Sequence, residues 1–312
     1  MKKVLVTGHR GYIGSVLCKL LREKGYYVIG TDIGPSANTY ANENYHLCFS
    51  SLYETIGTFT NLNDIDCIFH LAANSLLGPS AYDPMSYFIN NVGNTSKLLK
   101  SMGKRKMVYA SSAAVYQEVD DYVPIKEDAV KGSPNNYGTS KWMSEQVIKA
   151  FCDVVNTPVT CFRFFNVAGS YGDTGIQDNT PHLLSQLRYA SDKNHKFKIY
   201  GGDYDTKDGT CIRDYVHVFD ICNAMIHAYE TIDEPGYRAY NLGLGGGSSV
   251  FEMILRFIGM VGRLDYEFVE RRIGDPAYLV ADPNKFIQET GFVYQRTSIE
   301  DMIFDSLQSA RK

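Results

Sequence analysis

The sequence lacks the features that mark membrane-spanning, disulfide-stabilised and metal-binding proteins. No apolar run approaches the roughly 20 residues that a membrane-spanning helix needs, and the apolar start is interrupted at Gly8, too early for a secretory signal. The seven cysteines are an odd number without a Cys-x-x-Cys pair, so we expect buried, reduced thiols. No histidine, cysteine or carboxylate cluster has metal-ligand spacing. The expected location is the cytoplasm, and no metal is expected.

A strong charge of one sign is also missing, because 31 lysine and arginine residues nearly balance 35 aspartate and glutamate residues. The formal net charge of -4 provides no overall field for nucleic acid or for an anionic membrane, so neither is an expected partner. An anionic small molecule would need a few well-placed cations instead. With 312 residues, 44% of them hydrophobic, the chain can bury a sizeable core.

The first half of the chain alternates short apolar runs with longer segments of helical periodicity, which is typical of strand–helix units around a parallel sheet. Apolar stripes at helical spacing predict helices near residues 13–21, 85–102 and 143–154. The predicted strands cover residues 3–7, 27–31, 67–72, 106–111 and 159–164. The expected fold is therefore α/β, with a doubly wound parallel sheet of the Rossmann type.

The character of the sequence changes near Gly169, where glycine, aspartate, asparagine and proline become frequent and apolar runs shorten. Helical patterns return near residues 183–191, 250–261 and 298–310. We expect a Rossmann domain over residues 1–168 and a smaller C-terminal α+β domain over residues 169–312. The segment of about 211–231 is expected to return to the first domain.

A glycine-rich loop, Thr-Gly-His-Arg-Gly-Tyr-Ile-Gly over residues 7–14, follows the first predicted strand and opens the first predicted helix. Glycines in this position allow the backbone to approach a pyrophosphate, which is held at the positive end of the helix. Asp32 follows the second predicted strand, where a carboxylate accepts hydrogen bonds from the ribose hydroxyls of an adenosine. The pattern predicts a dinucleotide site.

Arg10 complicates the choice of cofactor, because a guanidinium in this loop can reach the 2′-phosphate of NADP. Asp32 would repel that phosphate, and it is the closer and less adjustable group. The prediction is therefore NAD, with NADP as the alternative. The plain interpretation of Arg10 is a solvated loop residue.

Tyr137 and Lys141 are four residues apart, so they share one face of a predicted helix, while the apolar stripe of residues 143–154 lies elsewhere. We expect this arrangement to separate Tyr137 and Lys141 from the core. An ammonium group beside a phenol, with the nicotinium cation of a bound cofactor nearby, favours the phenolate and lowers the pKa of tyrosine from about 10 toward neutrality. Tyr137 is then a usable general base.

With these motifs the chain resembles the extended short-chain dehydrogenase/reductase family, and within it the nucleotide-sugar 4-epimerases. The resemblance runs nearly end to end. It rests on the glycine loop and on the segments HLAA (70–73), NNVGNT (90–95), SSAAVY (111–116), YGTSK (137–141), RFFNVAG (163–169), YGGDYDTKDGTCIRDYVHV (200–218) and RRIGD (271–275).

The resemblance implies an NAD-dependent enzyme that inverts C4 of a nucleotide-sugar, with UDP-glucose and UDP-galactose as the expected substrates. In such enzymes C4 is transiently oxidised to a 4-keto intermediate, and the hydride returns to the opposite face. Ser112, Tyr137 and Lys141 match the catalytic positions. Ala113 and Ala114 stand where related dehydratases and decarboxylases carry Asp or Glu, which argues against loss of water.

The resemblance also implies binding residues, with the C-terminal domain holding the nucleotide-sugar. The implied cofactor residues are Gly8, Arg10, Gly11, Tyr12, Ile13, Gly14, Asp32, Ser51, Leu52, Leu71, Ala72, Ala73, Asn90, Ser111, Tyr137 and Lys141. The implied substrate residues are Ser112, Asn166, Asn179, Tyr200, Arg213, Arg272, Asp275 and Tyr278. For the two arginines, a salt bridge with a neighbouring acid such as Asp214 or Asp275 is the other interpretation. His70 either packs near the cofactor or is a core histidine with a backbone partner.

Two other functions stay open at this point. One is an NAD(P)H-dependent nucleotide-sugar reductase or epimerase-reductase, which Arg10 favours and which would consume its cofactor. The other is a non-catalytic dinucleotide-sensing protein, although a sensor has no need of a base-activating lysine. The family implies a homodimer formed through the helices near residues 83–102 and 137–155, whose apolar stripes would equally serve to cover the sheet.

Overall fold

The computed structural model describes residues 1–34, 40–46, 64–118, 122–176, 180–272 and 275–308. The strands in these ranges, numbered in chain order, are β1 (Lys3–Thr7), β2 (Tyr27–Asp32), β3 (Glu43–His46), β4 (Ile65–His70), β5 (Lys106–Ser112), β6 (Pro158–Phe164), β7 (Asn166–Ala168), β8 (Phe197–Tyr200), β9 (Ile212–Arg213), β10 (Tyr215–His217), β11 (Gly236–Leu242), β12 (Ser248–Ser249), β13 (Tyr266–Val269) and β14 (Tyr278–Leu279).

The helices in the same ranges include one turn with π-helical hydrogen bonding, Phe88–Gly93, which joins two α-helices. The α-helices are α1 (Tyr12–Glu23), α2 (Leu77–Tyr82), α3 (Pro84–Tyr87), α4 (Asn94–Met102), α5 (Asn136–Val155), α6 (Leu183–Lys193), α7 (Val218–Thr231), α8 (Val250–Val261), α9 (Asn284–Thr290) and α10 (Ile299–Gln308).

Seven of the described strands form one sheet in the order β11-β6-β5-β4-β1-β2-β3, and each neighbouring pair is parallel. This is the doubly wound Rossmann arrangement that the sequence predicts, so the predicted fold class is confirmed. The strand order reverses between β1 and β4. In such sheets ligands bind beyond the carboxyl ends of the strands at this reversal.

Two strands of the sheet were not predicted, namely β3 and β11 at its two edges. The strand β11 reads Gly-Tyr-Arg-Ala-Tyr-Asn-Leu, and its first four residues are only half-buried. An edge strand has one unpaired side and needs no continuous apolar run, so its sequence gives a weak strand signal. The prediction returned only the segment of about 211–231 to the first domain, and β11 lies beyond that segment.

Apolar side chains cover both faces of the sheet. On one face α1 and α7 pack together, and Val16, Leu17 and Ile221 join the strand residue Val4 in one core cluster. On the opposite face Leu98 of α4 and Ile148 of α5 belong to a second cluster. The edge formed by the carboxyl ends of the strands lies between these two helix layers.

The structure corrects the predicted orientation of α5. Its buried face contains Gly138, Ser140, Lys141, Ser144, Glu145, Ile148 and Cys152. Two residues of the predicted apolar stripe are exposed instead, Met143 by 43% and Val154 by 85%. Tyr137 and Lys141 therefore lie on the side that faces the protein and are not separated from it. Hydrogen bonding among the polar side chains makes this burial possible, as described below.

The remaining described elements form a second region over the carboxyl edge of the sheet. Its core contains Leu187 of α6, Phe257 of α8 and Ile303 of α10. This region contains small sheets with the strand orders β12-β9-β14 and β13-β8, and β10 pairs with β7. A helix with the length and apolarity required to cross a bilayer is absent from the described ranges.

Candidate active site

A cleft of about 1030 Å³ lies at the carboxyl edge of the main sheet, beneath the second region. Every predicted site residue within the described ranges lines this cleft. Ser51, Leu52 and Asn179 lie outside the described residues. Residues that are far apart in the chain, such as Asp32 and Arg272, therefore share one cavity, although their individual roles remain predictions.

The glycine loop closes tightly between β1, β4 and α1. Gly8 has a φ of +71°, and a Cβ there would lie 2.8 Å from the backbone nitrogen of Ala72. A Cβ on Gly14 would lie 2.1 Å from the carbonyl oxygen of Gly8, so only glycine fits. Gly11, which precedes α1, makes no side-chain cap, and the first turn has no acidic residue. The positive end of α1 is thus available to an anion.

Asp32 and Arg10 meet beside this loop. The Asp32 carboxylate accepts the backbone N–H of Arg10 at 3.0 Å and that of Gly34 at 3.3 Å. The guanidinium of Arg10 donates from Nη1 to the carbonyl oxygen of Gly34. Its Nε and Nη2 are buried and have no hydrogen-bond partner among the described residues. Arg10 is therefore part of the cleft wall and is not the solvated residue of the plain interpretation.

His70 has two side-chain partners in place of the backbone partner that was considered. Its Nδ1 lies 2.7 Å from Thr7 Oγ1, and its Nε2 lies 2.9 Å from Thr95 Oγ1. The Thr95 hydroxyl donates to the carbonyl oxygen of Asn91, so it accepts from Nε2–H. Nδ1 then accepts from Thr7, which in turn accepts the backbone N–H of Ala72. Burial lowers the pKa of His70 to about 3, in agreement with a neutral ring.

The π-helical turn explains the paired asparagines at positions 90 and 91. The carboxamide of Asn91 accepts the backbone N–H of Asn74 at 2.8 Å and donates to Ser140 Oγ of α5 at 2.9 Å. Asn90 faces the cleft and accepts from Asn94 Nδ2 at 2.9 Å. Asparagine is a poor helix former, and here its polar groups connect the loop after β4 to α5.

Tyr137, Ser112 and Lys141 meet where β5 ends and α5 begins. Asn135 caps α5 by accepting the backbone N–H of Gly138 at 2.8 Å. A Cβ on Gly138 would lie 2.0 Å from the carbonyl oxygen of Ala114, so glycine is required for this close approach. Ser112 and Tyr137 both line the cleft at this point, and the Ser112 hydroxyl accepts the backbone N–H of Ala114 at 3.1 Å.

The pKa of Tyr137 is not lowered as the sequence predicts. Burial raises this pKa, and the electrostatic influence of the Ser112 hydroxyl opposes the increase only in part. Lys141 is also buried, and burial lowers its pKa to about 8. Its ammonium lies over the ring of Tyr109, with Nζ 4.5 Å from the centroid. Desolvation therefore dominates both groups in this structure.

The opposite side of the cleft carries the arginines predicted to bind phosphate. Arg213 is buried and pairs with Asp275 through Nη2, which matches the salt bridge that was kept as the other interpretation. Arg272 lies over the ring of Tyr200, 3.9 Å from its centroid. A cation and an aromatic ring therefore lie side by side in the cleft. A guanidinium suits a phosphate, and an aromatic ring suits a nucleotide base.

Tyr278 also lines the cleft, where its ring makes an edge contact with Tyr122 at a centroid distance of 5.6 Å.

Asp214 is the other acid that was considered as a partner of Arg213. Its carboxylate accepts the backbone N–H groups of Leu244, Gly245 and Ala281. Asp214 thus fixes the loop after β11 and is not a partner of the arginine.

Sequence reasoning missed the buried carboxylate of Glu145 as a candidate. It lies one helical turn after Lys141 and binds Ser111 and Arg163. Ser111, predicted to contact the cofactor, thus has its hydroxyl engaged by Glu145. A signal was present, because Arg163 interrupts the apolar strand Cys-Phe-Arg-Phe-Phe, and a charged residue inside a buried strand needs an ionic partner.

These features define the class of the protein. A parallel sheet with an uncapped glycine loop at the strand-order reversal, next to a serine, a tyrosine and a lysine, is a Rossmann-fold nucleotide-binding enzyme site. The chain belongs to the NAD dependent epimerase/dehydratase family, whose model matches residues 4–243.

Individual relatives resemble the chain over almost its whole length. A UDP-glucose 4-epimerase from Corynebacterium glutamicum is 33% identical, with 97% of this chain and 94% of the relative covered. The crystal structure of UDP-glucose 4-epimerase from Bifidobacterium longum in complex with NAD+ and UDP is 31% identical, with a TM-score of 0.88 and coverage of 99% and 98%. A Stenotrophomonas maltophila UDP-glucose 4-epimerase with bound NAD and formylated UDP-arabinopyranose is 28% identical, with a TM-score of 0.92 and coverage of 100% and 98%.

Proposed function

We propose that this protein is an NAD-dependent nucleotide-sugar 4-epimerase that interconverts UDP-glucose and UDP-galactose. The observation that carries the proposal is a single cleft containing the glycine loop, the Ser112–Tyr137–Lys141 group and Arg213. The relatives named as UDP-glucose 4-epimerases support the same reaction, because they match nearly the full chain.

The residues of the cleft fit NAD. Gly8 and Gly14 leave space for no side chain, so a pyrophosphate can approach the backbone N–H groups at the start of α1. The carboxylate of Asp32 accepts two backbone N–H groups and keeps further lone pairs for ribose hydroxyls. The chemistry that NAD supplies when bound is reversible oxidation of the C4 alcohol to a ketone.

In this proposal Tyr137 accepts the proton of the C4 hydroxyl and later returns it. Ser112 lines the cleft with Tyr137 and relays the proton between the sugar and the phenol. Lys141, with a pKa of about 8, carries its charge at neutral pH and favours the phenolate one helical turn away. Ala113 and Ala114 offer neither acid nor base, so these two positions supply no catalyst for loss of water.

Inversion requires the nucleotide to be held firmly while the sugar turns, so affinity should reside in the UDP part. Arg213 has five donors, and its described contacts with Asp275 and Ile212 use two of them, so it can still bind phosphate. Arg272 with Tyr200 is proposed for phosphate and uracil, Asn166 for the diphosphate, and Tyr278 for the sugar pocket. Asn179 keeps its proposed uracil role.

A reductase that uses NADPH is the second candidate. The observation that favours it is the pair of buried, unpartnered donors on Arg10, within the described residues, beside Asp32. A reductase would consume reduced cofactor in proportion to product, whereas an epimerase would not.

We also propose a homodimer formed through the helices of residues 83–102 and 137–155. Met85 is 58% exposed and Ile89 is 68% exposed, so the apolar stripe there does not serve the sheet alone. We further propose that residues 1–168, with the later segment 211–231 and β11, form the dinucleotide-binding unit, and that the remaining part of residues 169–312 binds the nucleotide-sugar. A cytoplasmic location stays a prediction.

Purified protein incubated with UDP-galactose or UDP-glucose, with added NAD, with added NADPH or with neither, tests the function. We expect both epimers to form from either substrate, resolved by chromatography, without accumulation of reduced cofactor. N-acetylated and pentose analogues in parallel define the sugar. Absence of interconversion would refute the proposal, and stoichiometric oxidation of NADPH would favour the reductase.

A further inference from the structure

Glu145 is a buried carboxylate close to the proposed catalytic group, and the mechanism above does not use it. It lies on α5, one turn after Lys141 and two turns after Tyr137. Its side chain has 0% exposure, and that of Arg163 has 3%. A buried carboxylate is retained at a large free-energy cost unless all its lone pairs are used. Its contacts therefore indicate what it is for.

Four donors surround this carboxylate. Oε1 accepts from Ser111 Oγ at 2.6 Å and from Arg163 Nε at 3.1 Å. Oε2 accepts from Arg163 Nη2 at 2.7 Å and from the hydroxyl of Tyr237 at 2.9 Å. The three donor residues belong to β5, β6 and β11, which are consecutive strands of the sheet. One carboxylate thus fixes α5 to three strands.

The guanidinium of Arg163 is itself held in one orientation. Its Nη1 donates to the hydroxyl of Tyr116 at 2.9 Å and to the carbonyl oxygen of Glu127 at 2.9 Å. Its central carbon lies 5.1 Å from the centroid of the Tyr116 ring. The planar fork toward Glu145 is therefore preorganised, and the paired charges are fixed in place.

The two serines at the end of β5 connect Glu145 to the active site. Successive side chains of a strand point to opposite sides, so Ser111 and Ser112 face apart. Ser111 donates to Glu145, while Ser112 accepts the backbone N–H of Ala114 at 3.1 Å and lines the cleft with Tyr137. Glu145 therefore holds α5 to the strand residue that directly precedes Ser112.

We propose that Glu145, held by Arg163, is a positioning residue that sets the spacing between Ser112 and Tyr137 and tunes the charge of Lys141. This inference rests on the proposed function, because it assigns a role in the same proton transfer. Glu145 touches neither proposed ligand site. It acts through Ser111 and through its electrostatic field.

The groups around Lys141 show the direction of the electrostatic effect. From β5 it meets the ring of Tyr109, from β6 the thiol of Cys161, and from β4 the neutral His70. Burial is the largest influence and lowers the pKa of Lys141 to about 8, while Cys161 and then Glu145, on its own helix, act to raise it. Removing the charge of Glu145 should lower that pKa further, so that Lys141 loses its proton at a lower pH.

The test compares substitutions that remove different functions of one carboxylate. Glu145→Gln keeps the shape and removes the charge, Ser111→Ala removes the hydrogen bond to the active-site strand, and Tyr237→Phe removes a hydrogen bond on the far side. The last two are a matched pair, because each deletes a single hydroxyl bound to Glu145. For each variant kcat and KM for UDP-galactose are measured against pH, together with the thermal midpoint.

We expect Glu145→Gln to reduce kcat by about tenfold or more and to move the alkaline limb of the rate profile down by about half a pH unit or more. Ser111→Ala should reduce kcat with the limb unmoved, because the charge remains. Tyr237→Phe should retain the wild-type kcat and the wild-type position of the alkaline limb. KM for UDP-galactose should stay within about twofold in all three, since none of them changes a residue proposed to bind the nucleotide-sugar.

Wild-type kcat and pH limb in a folded Glu145→Gln protein would overturn the inference and leave Glu145 a stability residue. Should Glu145→Gln fail to fold, the matched pair decides, and equal kcat values for Ser111→Ala and Tyr237→Phe would overturn it. A wild-type protein without epimerase activity would refute the proposed function, and with it this role. If the wild-type protein is active and Tyr137→Phe inactivates it, the proposed function stands, and the Glu145 variants then test the role of Glu145 alone.

Discussion

Helices α1 and α5 lie on opposite faces of the same sheet, and they bury opposite kinds of side chain. On α1 the buried residues are almost all apolar, among them Val16, Leu17 and Leu21. On α5 the buried face includes Lys141 and Glu145, and apolar residues of the same helix are exposed. The buried face of α1 therefore serves packing, whereas α5 gives part of its buried face to chemistry.

The difference teaches how a polar helix face can be buried. Ser144 Oγ donates to the carbonyl oxygen of Asn91 at 3.1 Å, and Ser140 Oγ donates to that of Tyr137 at 2.7 Å. A buried polar group without a partner destabilises the fold, so each member of this face requires its own partner. On α1 no such network is needed, because apolar packing has no directional requirement.

Among the substitutions that test this comparison of α1 with α5, Tyr137→Phe should have the largest effect. The ring and its packing remain, but the proton acceptor is lost, and we expect kcat to fall by about 10²- to 10⁴-fold. Chromatographic measurement of UDP-galactose conversion checks the value. A variant that retains the full rate would show that the polar face of α5 is not catalytic.

The next effect concerns stability. Ile148 is fully buried on α5, so Ile148→Ala should lower the free energy of unfolding by about 2–5 kcal/mol. Val154 is 85% exposed on the same helix, so Val154→Ala should change it by no more than about 0.5 kcal/mol. Urea unfolding of the two variants provides the measurement. A larger loss of unfolding free energy for Val154→Ala than for Ile148→Ala would favour the helix orientation that the sequence predicts.

The pH dependence of the rate should follow Lys141. Below its pKa of about 8 the ammonium is present, and above it the charge that favours the phenolate is lost. We therefore expect kcat to fall with rising pH, by about fivefold over the unit above this pKa for a single ionisation. Rates measured across the alkaline range check this direction. A rate that rises through the same range would contradict the role of Lys141.

The smallest effect on activity should come from the exposed apolar residues. Ile89→Ser replaces a side chain that is 68% exposed. In the proposed homodimer it should weaken association and leave kcat within about twofold. Light scattering during size-exclusion chromatography measures the mass. A monomeric wild-type protein would instead disprove the dimer.

The fold was predictable in its central part and less so at its edges. Strands near residues 3–7 and 106–111 contain continuous apolar runs, because strands covered on both faces must be apolar throughout. The edge strand β11 has no such run, and only pairing with β6 places it in the sheet. The predicted helices near residues 183–191 and 250–261 correspond to α6 and α8.

The site was predictable where a motif has local geometry. The glycine loop and the Tyr137–Lys141 spacing act within a few residues, so the sequence alone indicates them. The Arg213–Asp275 pair and the partners of His70 join residues from separate segments. Sequence spacing carries no information about such contacts. The sequence predicts a lowered Tyr137 pKa beside Lys141 and a bound cofactor, whereas burial raises it in this structure, and burial cannot be counted before the helix orientation is known.

By itself the sequence determined the parallel sheet, the glycine loop and the identity of the chemical groups, because each depends on short-range pattern. Only the tertiary structure decided that α5 turns its serines, Lys141 and Glu145 inward. The physical reason is that the balance between burying apolar area and pairing polar groups depends on what the neighbouring strands offer. Here the strands offer Ser111 and Arg163, and the polar face is the one that finds partners.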